Sequence, residues 1–119
     1  MFKDWPHIAA DLTALTKELR AGTPDVMKAF SAMAQGATAP KALDTKTKEL
    51  VALAIAVAIR CDPCIAFHAE AARKHGATRD EVMETVGTAI YMGAGPAVMY
   101  AAQAVEAYDQ YVAKNAVAE

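Results

Sequence analysis

The sequence predicts an all-α protein of about six helices, and three observations carry that expectation. Alanine is abundant, while strand-favouring residues are sparse. Apolar residues recur three or four positions apart along much of the chain. Helix-start residues stand ahead of successive apolar runs: Thr23-Pro24, Asp44, Asp62-Pro63 and Thr78. The length, 119 residues, fits one domain spanning 1–119. No internal repeat, low-complexity tract or linker divides it.

The first helix is expected from His7 to Arg20. It places Ile8, Leu12, Leu15 and Leu19 on one stripe and closes at Gly22. Thr23 then reads as N-cap and Pro24 as the first residue of a second helix. That helix carries Val26, Met27, Phe30 and Met33 and ends near Gly36. Asp44 reads as the N-cap of a third helix, Thr45 to Arg60. Its second half, Leu50 to Ile59, has no polar face. A helix apolar all round is normally buried all round. One small domain offers too few neighbours for that, so subunit association is expected to cover part of it.

Asp62 as N-cap and Pro63 as first residue open a fourth helix. It runs to about His75, with Gly76 as the C-cap glycine. Thr78-Arg79-Asp80-Glu81 matches the capping box and starts a fifth helix, which runs to about Met92. Gly93-Ala94-Gly95-Pro96 breaks the chain. A last helix, Pro96 to Lys114, is expected to turn Val98, Met99, Ala102, Val105 and Tyr108 inward. The six methionines read as flexible core filler. Tyr91 and Tyr100, beside the break, read as packing residues. The tail, Asn115 to Glu119, is expected to fray.

Composition excludes several classes. The net charge is -2 and no block of Lys or Arg occurs, so no nucleic-acid partner is expected. Lys41, Lys46 and Lys48 are interrupted by Asp44 and Glu49 and read as a solvated helix start. Residues 1–6 show no apolar signal-peptide core. Leu50 to Ile59 is ten residues, about half a membrane span. Thr85 to Val105 is uncharged and long enough. Gly87, Gly93, Gly95 and Pro96 make it read instead as two buried helices with a break. No membrane association is expected, and a cytoplasmic location is. No G-x-G-x-x-G, Walker or H-E-x-x-H pattern occurs, so no organic cofactor is expected.

The informative feature is Cys61-Asp62-Pro63-Cys64. Residues i and i+3 of a helical turn lie about 5–6 Å apart, which allows a disulfide with little backbone movement. A helix start also favours an anion, because its first N–H groups are unpaired. The thiolate is the reactive form of cysteine, so this placement favours thiol–disulfide chemistry. His68 follows Cys64 by one helical turn and titrates near neutral pH, which suits proton transfer. Glu49 lies three turns before Cys61 on the preceding helix. Antiparallel packing of the two helices could set it against His68, where a carboxylate would orient the imidazole. Two other readings of the same residues stay open. Cys61, Cys64 and His68 could ligate zinc, with Glu49 or His75 as fourth ligand. The cysteines could also be inert structural thiols in an oligomeric scaffold. His75, just before the C-cap glycine, reads first as a helix-end cation.

The pattern Glu49, eleven residues, Cys61-x-x-Cys64, three residues, His68 resembles the alkylhydroperoxidase D-like branch of the carboxymuconolactone decarboxylase family. The resemblance extends from about Lys41 to Tyr108 and includes the small-residue segment 90–96. It implies an all-helical fold, a homo-oligomer of three or six chains, and reduction of a hydroperoxide by the cysteine pair. One cysteine would attack the peroxide and become a sulfenic acid. The other would resolve it to a disulfide, which a dithiol partner would reduce. Glu49 and His68 would form the proton relay. The attack is assigned to Cys64, one turn from His68, and resolution to Cys61. One position departs: Pro63 stands where peroxidases of the family often carry histidine. The decarboxylase branch generally lacks the cysteine pair, so decarboxylation is not expected.

Overall fold

The structure is a computed structural model that describes residues 1–118, with side chains described through residue 116. It contains five helices: α1 Trp5–Gly22, α2 Pro24–Thr38, α3 Thr45–Ile59, α4 Asp62–Lys74 and α5 Arg79–Ala118. No strand occurs among the described residues. The expectation of about six helices holds, because α5 comprises two helices joined across a kink. The break expected at 93–96 is confined to Ala94, at φ 54° and ψ -138°, and helical backbone resumes directly after it. Pro96 has no N–H to pair, which suits it to the turn after such a break. The fifth and sixth expected helices are therefore two arms of one kinked α5.

The starts of these helices follow local chemistry. The Asp4 side chain accepts the N–H of His7, and that of Asp44 accepts the N–H of Thr47 at 2.7 Å. The capping box is reciprocal: Glu81 N–H donates to Thr78 Oγ1 and Thr78 N–H donates to Glu81 Oε1. Gly76 turns the chain after α4 at φ 90°, a conformation that favours glycine. Thr23 makes no side-chain cap bond, and Pro24 alone marks that start. At α4 the expectation shifts by one residue. Cys61, not Asp62, is the N-cap, and Pro63 is second in the helix rather than first.

The core is built from few large side chains and many alanines. Trp5, Leu53, Val57, Ile65 and Val82 are fully buried. Around them lie Ala56, Ala66, Ala69, Ala72 and Ala104. This corrects the expected inward face of the last arm. Val98 and Met99 are exposed, as is Ala102, and Val105 is half-buried. Ala97, Ala101, Ala104, Ala107, Tyr108 and Tyr111 face inward instead. Of the expected set, only Tyr108 is buried, its hydroxyl donating to Ala77 O at 2.7 Å. The reason is steric: helices meeting closely need small residues at the contact, and bulky apolar side chains are turned outward.

The same correction applies elsewhere. Trp5 and Ala9 are the buried residues of α1, while Leu15 and Leu19 are exposed. α2 buries none of its residues, and Val26, Phe30 and Met33 lie open. None of the six methionines is buried, so they are not core filler within one chain. In the region where fraying is expected, helical backbone continues through Ala118, and the Asn115 side chain donates to Tyr111 O. Glu119, the last residue of that expected tail, lies outside the described residues. Among the described residues, no helix is long and apolar enough to cross a membrane.

The N-terminal segment is fastened across α5. Glu106 accepts the N–H groups of Phe2 and Lys3 and the indole N–H of Trp5, the last at 2.8 Å. Gln110 accepts the Trp5 N–H and donates to Lys3 O. Burial pushes the Glu106 carboxyl up, but these N–H donors outweigh burial and hold it below the ordinary glutamate value. A lowered folded-state pKa gives stability that is present above the unfolded value and is lost as pH falls through the folded one. Trp5 is the only tryptophan in the sequence. Its fluorescence should therefore stay constant from neutral pH down to the ordinary glutamate range and shift to the red as pH falls below that range. Glu106→Gln should remove that acid step.

Candidate active site

Two residues, Arg60 and Cys61, join α3 to α4. Arg60 adopts the left-handed conformation, φ 59° and ψ 49°, and ends α3. The N–H of Cys61 returns to Ala56 O at 3.1 Å, satisfying a carbonyl of the last turn. Cys61 is then the N-cap of α4, and its Sγ accepts the N–H of Cys64 at 3.3 Å. This joint sends α4 back along α3. It also places a sulfur atom against the unpaired N–H groups of a helix start.

Cys61 and Cys64 form a disulfide, with Cα atoms 5.2 Å apart. Both residues are half-buried, and Cys64 packs against the apolar core. The spacing agrees with the range anticipated for i and i+3 positions of a helical turn. The two sulfurs have different settings. A thiolate on Cys61 would be stabilised by the Cys64 N–H and by the positive end of α4. Cys64 sits one turn before His68, further into the helix.

The structure brings Glu49 and His68 together. His68 Nδ1 lies 2.6 Å from Glu49 Oε2. Glu49 is 6% exposed and is the one charged residue buried among those described. An ionised carboxylate only accepts hydrogen bonds, so Nδ1 carries the proton in that state and Nε2 is left to exchange protons. Among the described residues, no direct hydrogen bond joins the His68 ring to either sulfur. A proton passing between them would travel through a water or through the substrate itself.

A groove of about 320 Å³ opens beside His68. Ala34, Leu43, Val51, Ala52 and Ile55 line it, so its walls are mainly apolar. The other residues considered in the sequence lie apart from this cluster. His75 is exposed at the end of α4, and Tyr91 is 85% exposed on the outside of α5. Among the described residues, no three His, Cys, Asp or Glu side chains are grouped so as to hold a metal ion. Sequence reasoning missed one neighbour. Lys3 reaches Asp62, inside the cysteine motif, with Nζ 2.5 Å from Oδ2. A lone lysine near the N-terminus gives no sequence signal of such a contact.

Comparison with known proteins identifies the family. Residues 24–107 match the carboxymuconolactone decarboxylase family. A carboxymuconolactone decarboxylase family protein from Legionella pneumophila, solved in its apo form, is 48% identical. It superposes with a TM-score of 0.88 over 90% of this chain and 96% of its own. An uncharacterized protein of Haemophilus influenzae is 42% identical over 108 residues, covering 91% of this chain and 96% of its own. Another, from Cupriavidus necator, is 41% identical over 86 residues, covering 72% and 76% of the two chains. The chain belongs to the carboxymuconolactone decarboxylase family.

The disulfide closes a loop of only a few residues, so it constrains the unfolded chain weakly. On the chain-entropy account it contributes about 2 kcal/mol. Reduction should leave the helical circular dichroism unchanged. Urea unfolding of the oxidised and reduced protein should differ by roughly that amount or less, with similar slopes.

Proposed function

We propose that this chain is a thiol-dependent peroxidase that reduces hydroperoxides at Cys61 and Cys64. One observation carries the reading: the cysteine pair opens a helix whose next turn presents a histidine held by a buried carboxylate. The cycle starts from the reduced pair. The Cys64 thiolate attacks the terminal oxygen of the hydroperoxide, an S–O bond forms, and the O–O bond breaks. His68 supplies the proton that the departing alkoxide takes up, and Glu49 stabilises the imidazole as its charge changes. His68 then takes the Cys61 thiol proton, the Cys61 thiolate attacks the Cys64 sulfur so that the S–S bond forms as the S–O bond breaks, and the departing hydroxide takes up that proton and leaves as water. A dithiol partner reduces the bridge by two exchange steps and is itself oxidised.

The apolar groove beside His68 favours a hydroperoxide with an apolar body. The reducing cytoplasm is the compartment that would regenerate the pair. Disulfide exchange without peroxide reduction is the second reading. The N-cap position of Cys61 favours it, because a stabilised thiolate is also a good leaving group. A zinc module on Cys61, Cys64 and His68 would require both sulfurs as thiolates, and it draws less support from a closed bridge.

The test is a thiol count on reduced protein before and after one equivalent of an organic hydroperoxide. A fall from two thiols to none, reversed by a dithiol, is expected. Two thiols unchanged by peroxide would overturn the peroxidase reading. Cys64→Ser should abolish turnover with the fold intact. Cys61→Ser should allow one turnover and trap a sulfenic acid. Glu49→Gln should slow turnover by about 10²-fold or more, the ordinary contribution of a positioned proton-transfer group.

We also propose that the chain assembles as a homo-oligomer, a trimer or hexamer. α3 leaves Val51, Ile55 and Ile59 exposed, with Val51 and Ile55 in the groove wall, and α2 leaves Phe30 and Met33 exposed. A second copy on this face would bury them and roof the groove. Sedimentation at micromolar concentration should show a species of at least three chains. A single 12.6 kDa species would refute the assembly.

A further inference from the structure

Lys3 lies far from the cysteines in sequence and is held at both its backbone and its side chain. Its N–H donates to Glu106, and its carbonyl accepts from Gln110. Its ammonium donates to Asp62 Oδ2 at 2.5 Å and to Gln103 Oε1 at 2.6 Å. It also lies 5.3 to 5.8 Å from the ring centres of Phe2, Trp5 and Tyr100. Fixing a lysine side chain this fully costs rotamer entropy. The contact it secures is with an aspartate between the two cysteines.

That aspartate matters to thiol chemistry. Asp62 follows Cys61 directly, in the first turn of α4. A carboxylate beside a thiol disfavours the thiolate, since both forms are anions. An ammonium paired with the carboxylate offsets that repulsion. We propose that Lys3 is a positioning residue for the redox pair: it neutralises Asp62 and fixes the loop, so that the thiolate needed for reaction forms near neutral pH. Other charged groups stand on the elements that meet here. Glu106 is on α5 and bonded to the N-terminal segment, Arg60 directly precedes Cys61, and Glu49 and His68 face each other across α3 and α4. Among the described residues, Lys3 is the cation paired with the carboxylate inside the motif.

The inference rests on the thiol chemistry of Cys61 and Cys64, but its test needs no peroxide. The fully reduced chain is titrated by thiolate absorbance in four forms: wild type, Lys3→Met, Asp62→Asn and the double variant. Lys3→Met should raise the lower thiol pKa by about half to one unit, a roughly three- to tenfold loss of thiolate at neutral pH. Asp62→Asn should lower the thiol pKa more in the Lys3→Met background than in the wild type, returning the double variant toward the wild-type curve. Circular dichroism and Trp5 fluorescence separate this effect from loosening of the N-terminal segment. Lys3→Arg, which keeps the charge, should titrate like the wild type. A Lys3→Met curve that overlays the wild type would overturn the proposal. So would equal shifts from Asp62→Asn in both backgrounds. Should Lys3→Met not fold, the comparison of Lys3→Arg with Asp62→Asn decides. A wild-type-like Arg variant with a lowered Asn thiol pKa supports the proposal, and an unmoved Asn variant overturns it. Failure of peroxide turnover in the wild type would refute the peroxidase reading while leaving this titration readable.

Discussion

The joint between α3 and α4 sets the geometry of the site. It is two residues long, so the chain must reverse at once, and Arg60 does this in the left-handed region. For a residue with a side chain, that conformation costs about 1–2 kcal/mol. The return bond from Cys61 N–H to Ala56 O and the packing of α4 along α3 oppose that cost. Because the turn is tight, Cys61 has nowhere to go but the N-cap of α4. Because α4 runs back along α3, a residue three turns before the joint meets one two turns after it. The disulfide, the anion-stabilising helix start and the Glu49–His68 contact all follow from this reversal.

Glu49 is the point of greatest energetic tension. A buried carboxylate without a partner would carry a penalty of about 1–3 kcal/mol or more. The histidine N–H at 2.6 Å offsets it, and the same bond fixes the ring and its tautomer. One interaction therefore offsets the burial of the acid and orients the imidazole. The half-exposed His68 stands between the buried acid and the groove, the position that the proposed proton transfer requires.

Alanine governs how these helices approach each other. Small residues at the contacts let α3, α4 and α5 pack closely around Leu53, Val57, Ile65 and Val82. The bulky apolar residues are displaced to the outside, on α2, on one face of α3 and around the Ala94 kink. The chain buries alanine and exposes phenylalanine, methionine and isoleucine, and Val51 and Ile55 of this outward set line the groove beside His68. The assembly proposed above would bury them.

The sequence by itself determined the helical class, most helix starts and the spacing of the cysteine motif. These depend on local chemistry: Asp44 and Thr78 bond to backbone N–H groups a turn away, Gly76 supplies a positive φ, and residues i and i+3 are neighbours in any helical turn. The sequence pattern also named Glu49 and His68 and offered their contact as a consequence of antiparallel packing, which the sequence alone could not establish. Tertiary structure decided what depends on distant segments. It set Glu49 against His68, made α5 one kinked helix, and turned alanines rather than Val98 and Met99 to the core. It also brought Lys3 to Asp62 across fifty-nine positions of chain. Hydrophobic periodicity reports which residues avoid water, but not whether close packing or another subunit will shield them. A salt bridge between remote residues leaves no trace until the fold closes the gap.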